Sequence, residues 1–332
     1  MTATASVAGQ LLSGKRLGIA VVVVAGLAVV PAVAPPFQTI QLSYGLIFAI
    51  AALGFNLLLG YTGLLSFGHS AYFGTGAYAV AMLVKYAGSG SMEVFIVAGV
   101  LASAVVAAVV GLVCVHYTRI FFSILTLALS QVLWSLALKL FWVTGGTDGL
   151  RVPTPSLLGG LVRPPADKID FLAHHYYYYV LVLFLVCAGV MWVIVHSPFG
   201  KALQAIRDNE TRAEFVGVEV RKYRWIAFLV SGAFTGLAGA LWVPLNGLTT
   251  PDILYWPFSG KIVFLTVLGG FRTFTGPIIG AIAFNYLETY AVGFTVYWQL
   301  VLGVVLVLLV LTMPAGIMGT VGQLAARLRP SR

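Results

Sequence analysis

Apolar residues fill this chain in long runs that short polar segments separate. Most runs approach the roughly 20 apolar residues that a helix needs to cross a bilayer. The run at 259–271 is too short to cross alone. The pattern predicts an all-α polytopic membrane protein of about ten transmembrane helices, in a range of eight to ten, with broken or re-entrant segments among them. The expected spans are 17–34, 40–60, 67–86, 94–116, 120–142, 176–196, 225–243, 259–271, 275–294 and 297–314.

The composition agrees with a chain that lives in lipid. Apolar residues make up 60% and charged residues 9%, whereas a soluble domain carries about 25% charged residues. The net charge of +9 lies in loops, without a dense basic tract interleaved with aromatics, and we therefore reject a nucleic-acid partner. Cys114 and Cys187 both lie in apolar runs, which argues against a disulfide framework.

The distribution of basic residues predicts the topology. With a cytoplasmic N-terminus, 13 of the 19 lysines and arginines fall on the cytoplasmic side, as the positive-inside rule favours. We expect cytoplasmic tails at 1–16 and 320–332, a membrane domain over 17–319 and an external loop at 143–175. The run at 17–34 also resembles a signal peptide, but it is long for one, and we expect it to be retained as the first span.

The segment 54–78 is unusually polar for a membrane span, since it carries six glycines together with hydroxyl, amide and imidazole side chains. Interrupted helices at membrane depth are tolerated only within protein or along a water-filled cavity, and in transporters they point to the substrate pathway. The alternative is a tight turn between two spans with close packing. The candidate pathway residues are Asn56, Gly60, Ser66, Gly68, His69, Gly74, Gly76 and Tyr78.

The segment 197–224 concentrates ten of the chain's 29 charged side chains. Ser197 is placed to cap a helix that begins at Pro198. Asn209 is placed to cap a second short helix, which Gly217 would end. The pattern predicts two short helices at an angle on the cytoplasmic face. They form either a docking element for a cytoplasmic partner or a solvated loop with snorkelling cations.

Side-chain spacing predicts the contacts of these two helices. Phe199, Leu203 and Ile206 fall on one apolar face, and Asp208 and Arg212 are spaced as an i,i+4 ion pair. Three basic residues are expected to anchor the following span at the cytoplasmic surface: Arg221, Lys222 and Arg224.

Motifs for other chemistry are missing from the sequence. It contains no GxxxxGK[ST] nucleotide-binding motif, no HExxH and no GxSxG, so it gives no sign of an ATPase or a hydrolase. Glu288 is the acid that we place within a span. It is either a paired structural acid near Asn285 or a span end, or part of a proton relay.

Several stretches, taken together, are similar to one known family. The chain resembles the permease subunit of branched-chain amino-acid ABC importers over roughly residues 40–320. Two positions depart from the family pattern, Ile120 in place of a glycine and Ser70 in place of an alanine, and they leave the substrate open. The stretches that carry the resemblance are "NLLLGYTGLLSFGHSAYFGTGAY" (56–78), "TGGTDGL" (144–150), "SPFGKALQAIRDNETRAEFVGV" (197–218), "SGAFTGLAGAL" (231–241), "VLGGFRTFTGPIIGA" (267–281) and "PAGIMG" (314–319).

The resemblance implies a location and a set of partners. The chain would lie in a bacterial inner membrane with a second homologous permease, two cytoplasmic ATPase subunits and a periplasmic solute-binding protein. It would itself perform no catalysis and hold no metal or cofactor, since ATP and Mg²⁺ would bind the ATPase subunits. The residues implied in coupling to an ATPase are Gly200, Ala205, Arg207, Asp208, Asn209, Glu210, Ala213, Glu214 and Gly217. The external loop supplies a candidate gate or binding-protein contact, or a plain glycine-rich turn, at Thr144, Gly145, Gly146, Thr147 and Asp148.

The expected function is ATP-driven import of branched-chain or other amino acids by alternating access. An importer of urea or short amides is the alternative within the family. A secondary transporter or channel that works without ATP is the alternative from another class, and it would need an ion or proton site. If the polar turn couples the bundle to an ATPase, exchanging the charges of Arg207 and Glu210 should uncouple ATP turnover from uptake.

Overall fold

The computed structural model describes residues 14–162, 164 and 167–327, and these residues are mostly α-helical. Two short strands, β1 (Leu150–Arg151) and β2 (Leu248–Thr249), pair in antiparallel fashion. Helices α1 to α15 are Gly14–Val33, Pro36–Asn56, His69–Met82, Met92–Cys114, Arg119–Lys139, Phe141–Thr144, Lys168–Phe171, Tyr177–His196, Pro198–Asp208, Glu210–Phe215, Val220–Asn246, Trp256–Gly269, Gly276–Phe294, Trp298–Thr312 and Gly316–Arg327.

Short turns of other helical types extend or join these helices. Wide π turns continue α2 and α3 and lead into α8, and three 3₁₀ turns lie in the connecting segments. The π turns are Leu57–Thr62, Leu83–Ala87 and Leu172–Tyr176, and the 3₁₀ turns are Gly146–Asp148, Leu158–Gly160 and Pro251–Leu254.

The all-α class predicted from the hydrophobic pattern is confirmed, and each of the ten expected spans coincides with a helix. α12 is a short apolar helix, as the run at 259–271 predicted. The number of true crossings and the side of each terminus stay predictions, and 1–13 and 328–332 lie outside the described residues. Six helical stretches in the described part are long and apolar enough to cross a membrane: Pro36–Thr62, Met92–Cys114, Arg119–Lys139, Lys168–His196, Val220–Asn246 and Trp298–Leu324.

The long helix α11 lies at the centre of the bundle and packs against α2, α3 and α4. Glycines allow these close approaches. A side chain at Gly232 or Gly236 would overlap Ala107 or Ser103 of α4, and one at Gly76 of α3 would overlap the backbone of Gly236. Small residues at helix interfaces bring backbones together in just this way in membranes. The GxxxG spacing in α11 therefore marks a helix contact.

α13 packs on the other side of α2 and against α12. Its glycine pair, Gly276 and Gly280, lies against the backbone of α12 at Gly269 and Leu265. By contrast, α4, α5 and α14 turn rows of large apolar side chains outward, as lipid-facing helices do. Among these exposed residues are Val105, Val109, Leu112, Ile124, Val132, Val304, Val307 and Leu311.

The expected external loop at 143–175 is tied to the bundle. β1 lies in this loop and pairs with β2, which directly follows α11, with Leu150 opposite Thr249. The Val152 N–H donates to the carbonyl of Gly247 at 3.0 Å. The loop is therefore fixed to the end of the central helix.

Candidate coupling and translocation site

The charged segment forms the two short helices that its capping residues predict. The Ser197 hydroxyl accepts a hydrogen bond from the Gly200 N–H at 3.4 Å at the start of α9. The Asn209 side chain accepts one from the Arg212 N–H at 2.9 Å at the start of α10. Gly217 has a φ of +87°, a left-handed conformation that favours glycine. Asn209 is extended between the helices, and α9 and α10 therefore meet at an angle.

The apolar face of α9 packs on the bundle. Leu203 and Ile206 are buried among side chains from the end of α2 and from α8. Phe199 stacks on Tyr223, with ring centroids 5.6 Å apart. A side chain at Gly200 would overlap the backbone of Val195. This contact surface leaves the polar side of both helices free for another protein.

Arg207 joins the charged segment to the glycine-rich segment. Its Nη1 donates to the carbonyl of Gly60 at 2.5 Å, and its Nε and Nη2 donate to Asp208. Gly60 lies in the π turn that ends α2, and the stem of Arg207 lies close to Gly63. The two motifs that the sequence marks as coupling and pathway are thus in direct contact.

Glu210 and Arg224 form a second link, from α10 to α11. The two Arg224 nitrogens donate to the two Glu210 oxygens at 2.7 and 2.8 Å. Arg224 is only 5% exposed, so the prediction that it anchors α11 at the surface is wrong. It lies on the buried side of the first turns of α11, where α10 covers it.

The predicted ion pair between Asp208 and Arg212 is also wrong. Asp208 pairs with Arg207 at 3.0 Å instead. The spacing of four residues brings side chains together only on one continuous helix. Because α9 ends at Asp208 and Asn209 is extended, this rule does not hold across the break.

The remaining candidate coupling residues divide by exposure. Gly200 and Ala213 are buried, whereas Ala205, Asp208, Asn209, Glu214 and Gly217 are exposed. Two large apolar side chains that the sequence analysis missed stand beside them, Phe215 (87% exposed) and Val216 (74% exposed). Their signal in the sequence is an apolar pair that interrupts an otherwise polar helix end. An exposed apolar patch with a polar rim is typical of a protein interaction site.

All eight candidate pathway residues are buried in this conformation. His69 Nε2 lies 2.8 Å from the Ser231 hydroxyl of α11, and the imidazole makes edge contacts with Phe55 and Tyr72. Three glycines serve close packing, since a side chain at Gly68, Gly74 or Gly76 would overlap Thr126, Leu254 or Gly236. Close packing was the alternative explanation for this segment, and a role in the pathway stays a prediction.

Asn56 is the residue of this group whose side chain is least satisfied. Both of its polar atoms are buried and lack a hydrogen-bond partner among the described residues, as do Nδ1 of His69 and the Tyr78 hydroxyl. A buried polar group without a partner costs free energy, and in a native structure it needs an explanation. Exposure to water in a different conformation would be one such explanation.

The candidate external gate is an ordered turn. The Thr144 hydroxyl donates to the Ala137 carbonyl at 2.6 Å and accepts from the Gly146 N–H at 3.3 Å. Gly145 and Gly146 have φ of +76° and +51°. This geometry leaves the tip exposed at Thr147 and Asp148. Contact with a binding protein stays a prediction for these residues.

Glu288 of α13, the acid expected within a span, pairs with Lys261 of α12 at 2.5 Å. It is thus a paired acid, although its partner is not Asn285. Asn285 instead donates to the backbone of Gln41 on α2, at 2.9 Å.

A helical bundle with outward-facing apolar side chains, six stretches long and apolar enough to cross a bilayer, and a capped polar element seated on it has the architecture of a multi-pass membrane protein. The chain belongs to the family described as the branched-chain amino acid transport system permease component, whose model matches residues 39–310. It is thus a permease of the branched-chain amino acid ABC transporter type, in the inner membrane.

Curated relatives agree with this membership. The chain is 28% identical over 293 residues to the high-affinity branched-chain amino acid transport system permease protein LivM of Escherichia coli, covering 82% of this chain and 68% of that protein. It is 24% identical over 286 residues to the permease LivH of Salmonella typhimurium, covering 83% and 92%. A probable LivM of Methanocaldococcus jannaschii is 24% identical over 335 residues, covering 84% and 92%. No solved structure matches the chain significantly.

Proposed function

We propose that the chain is one of two homologous permeases in an ATP-driven importer that moves branched-chain or other amino acids by alternating access. The proposed topology has ten spans and cytoplasmic termini. ATP and Mg²⁺ act on two separate ATPase subunits, and a periplasmic protein delivers the substrate. Similarity to two differently named permeases, LivM and LivH, supports a second permease as partner.

The hydrogen bond from Arg207 to Gly60 carries the coupling part of this proposal. A helix end leaves its last carbonyl groups without partners in the helix, and a cation is favourable there. Arg207 supplies both the donor and the charge to the end of α2 from a different helix. Any displacement of α9 therefore either moves the end of α2 or breaks this bond.

The exposed patch around α10 supports docking of an ATPase. It combines Phe215 and Val216 with the charged groups Asp208 and Glu214. Interfaces of this kind have an apolar centre and a polar rim. ATP would favour a closed ATPase dimer, and a ligand shifts an equilibrium only by binding one state better than the other. The patch would transmit that preference to α9, α10 and the bundle.

The test is uptake by purified components in proteoliposomes. We expect amino-acid accumulation only when both permeases, the binding protein and active ATPase subunits are present. ATPase subunits that bind but do not hydrolyse ATP should abolish it. Accumulation against a gradient by this chain without any ATPase would refute the proposal and favour a secondary transporter.

The substrate class rests on the family and on the printed names of the relatives. Urea or a short amide is the competing substrate. Ligand binding by the companion periplasmic protein separates the two, since that protein selects what reaches the permease. We expect tight binding of leucine, isoleucine or valine. Binding of urea alone would refute the proposed substrate class, but the proposed importer mechanism would still stand.

A further inference from the structure

A pair of opposite charges lies within the bundle, away from the coupling segment. Lys261 Nζ lies 2.5 Å from a carboxylate oxygen of Glu288 and 4.4 Å from the ring centroid of Phe48. The two charged side chains are 20% and 22% exposed. The two charges therefore neutralise each other, and both side chains are partly exposed at the surface of this chain.

The lengths of α12 and α13 would place the pair near the middle of a membrane that both helices enter. Lys261 precedes the end of α12 by eight residues, and Glu288 follows the start of α13 by twelve. At about 1.5 Å per residue these distances are about 12 and 18 Å, within a hydrocarbon core about 30 Å thick. The segment that connects α12 to α13 lies at the end of the bundle where α9 and α10 are seated. Its Phe271 carbonyl is next to Gly60, which Arg207 of α9 also contacts.

Charges at this depth need a reason. Charged side chains within spans face a protein partner or a water-filled cavity, and they mark substrate pathways. Stability is not a sufficient reason, because replacing a buried ion pair with apolar residues is often neutral or stabilising. If the exposed part of the Lys261 and Glu288 side chains faces the second permease, or the space between the two, the substrate pathway supplies that reason.

The geometry points to Lys261 and Glu288 as a binding site for the charged ends of a zwitterionic α-amino acid. This inference rests on the proposed import of amino acids. The substrate carboxylate would bind the Lys261 ammonium, and the substrate ammonium would bind the Glu288 carboxylate. Each charge exchanges one partner for another of the same sign, so no charge is left unpaired when the site is empty or occupied.

Aromatic rings beside the pair suit an apolar substrate side chain. Phe48, Phe73 and Phe258 form one cluster, with the rings of Phe73 and Phe258 4.6 Å apart. Ligand sites commonly combine an apolar wall with a few placed polar groups. Phe48 and Phe73 are buried, so Phe258, which is partly exposed and lies one turn before Lys261, would supply the contact for a branched aliphatic side chain.

The test replaces both charges in the complete importer. The double variant Lys261→Met/Glu288→Met removes the pair without leaving a single charge behind. We expect it to assemble and to keep basal ATP hydrolysis, while ATP-driven leucine uptake falls about tenfold or more, the effect of losing charge-assisted hydrogen bonds. The reversed pair Lys261→Glu/Glu288→Lys should also assemble and should also lose uptake, because the substrate would have to turn round against the aromatic cluster.

Lys139→Met is the matched control, since Lys139 is an exposed lysine at the end of α5, and it should transport like the wild type. Uptake at the wild-type rate and KM by either double variant would overturn the inference. Failure of both to assemble would overturn it as well, because the pair would then serve the fold. Failure of the wild type and the control to transport amino acids would instead refute the proposed function.

Discussion

The link between Arg207 and Gly60 predicts a specific uncoupling mutant, Arg207→Met. Methionine keeps an apolar stem of similar length next to Gly63 and removes the guanidinium that holds the Gly60 carbonyl. Among the residues that the structure describes, the only other hydrogen-bond partner that the guanidinium loses is Asp208, whose side chain is 68% exposed and is easily solvated. The mutation therefore removes the connection while leaving α9 in place.

The size of the effect follows from the geometry of the bond. A hydrogen bond to a charged group contributes about 1.5–3 kcal/mol. The Arg207 side chain is 36% exposed, so water replaces part of this interaction, and we take about 1–1.5 kcal/mol. Because each 1.4 kcal/mol corresponds to a factor of ten, we expect transport per ATP hydrolysed to fall about five- to twelvefold.

Uptake and ATP hydrolysis must be measured in the same proteoliposomes to obtain this ratio. Lys139→Met is the control, since Lys139 is exposed at the end of α5, outside the coupling segment, and its side chain makes no hydrogen bond or ion pair with the residues that the structure describes. It should behave as the wild type does. An unchanged ratio in Arg207→Met, with normal assembly, would show that the contact with α2 does not transmit force.

The structure also changes the charge exchange that the sequence suggests. Arg207 and Glu210 do not pair with each other, since Arg207 binds Gly60 and Glu210 binds Arg224. Exchanging their charges would place a carboxylate against a carbonyl and a cation against a buried arginine. This double substitution tests folding more than coupling, and the single change to methionine is the better experiment.

Three further predictions concern the same elements. Glu210→Gln leaves the buried Arg224 without its carboxylate and should lower the stability of the isolated permease by about 2 kcal/mol, seen as a lower melting temperature that the exposed control Glu214→Gln does not show. Gly236→Leu would overlap α4 and should cost about 3 kcal/mol or more, seen as lost monodisperse protein, whereas Gly189→Leu, which meets open space, should be tolerated. Cysteines at positions 66 and 69 should resist an aqueous reagent in the resting complex and react during ATP turnover, and protection in every nucleotide state would remove this segment from the pathway.

Local features of this fold were well predicted from the sequence. The ten apolar runs gave ten helices, and the caps at Ser197 and Asn209 gave the two short helices between α8 and α11. Each of these features depends on residues that are close together along the chain, where periodicity and capping rules act.

The contacts that assemble the site were not predicted, because they join distant parts of the chain. Arg207 and Gly60 are 147 residues apart, and Arg224 bonds across the break between two helices. Lys261 and Glu288 lie in separate helices, and only their packing shows that each neutralises the other. Spacing along one helix said nothing about these partners, and it gave the wrong partner for Asp208.

The distribution of tight contacts indicates how the proposed motion would spread. The backbones of α3, α4 and α11 touch at Gly76, Gly236 and Gly239, and packed interfaces of this kind do not deform continuously. Glu210 holds the coupling helices to α11, and Arg207 holds them to the end of α2. A force on α10 would therefore move α11 and its neighbours as one body. It would also pull on the π turn after α2, through Arg207 and through the packed apolar face of α9. We expect alternating access to take the form of rigid-body rocking with the bend at Leu57–Thr62, and a spin-label distance across α3 and α11 that changes during ATP turnover would contradict it.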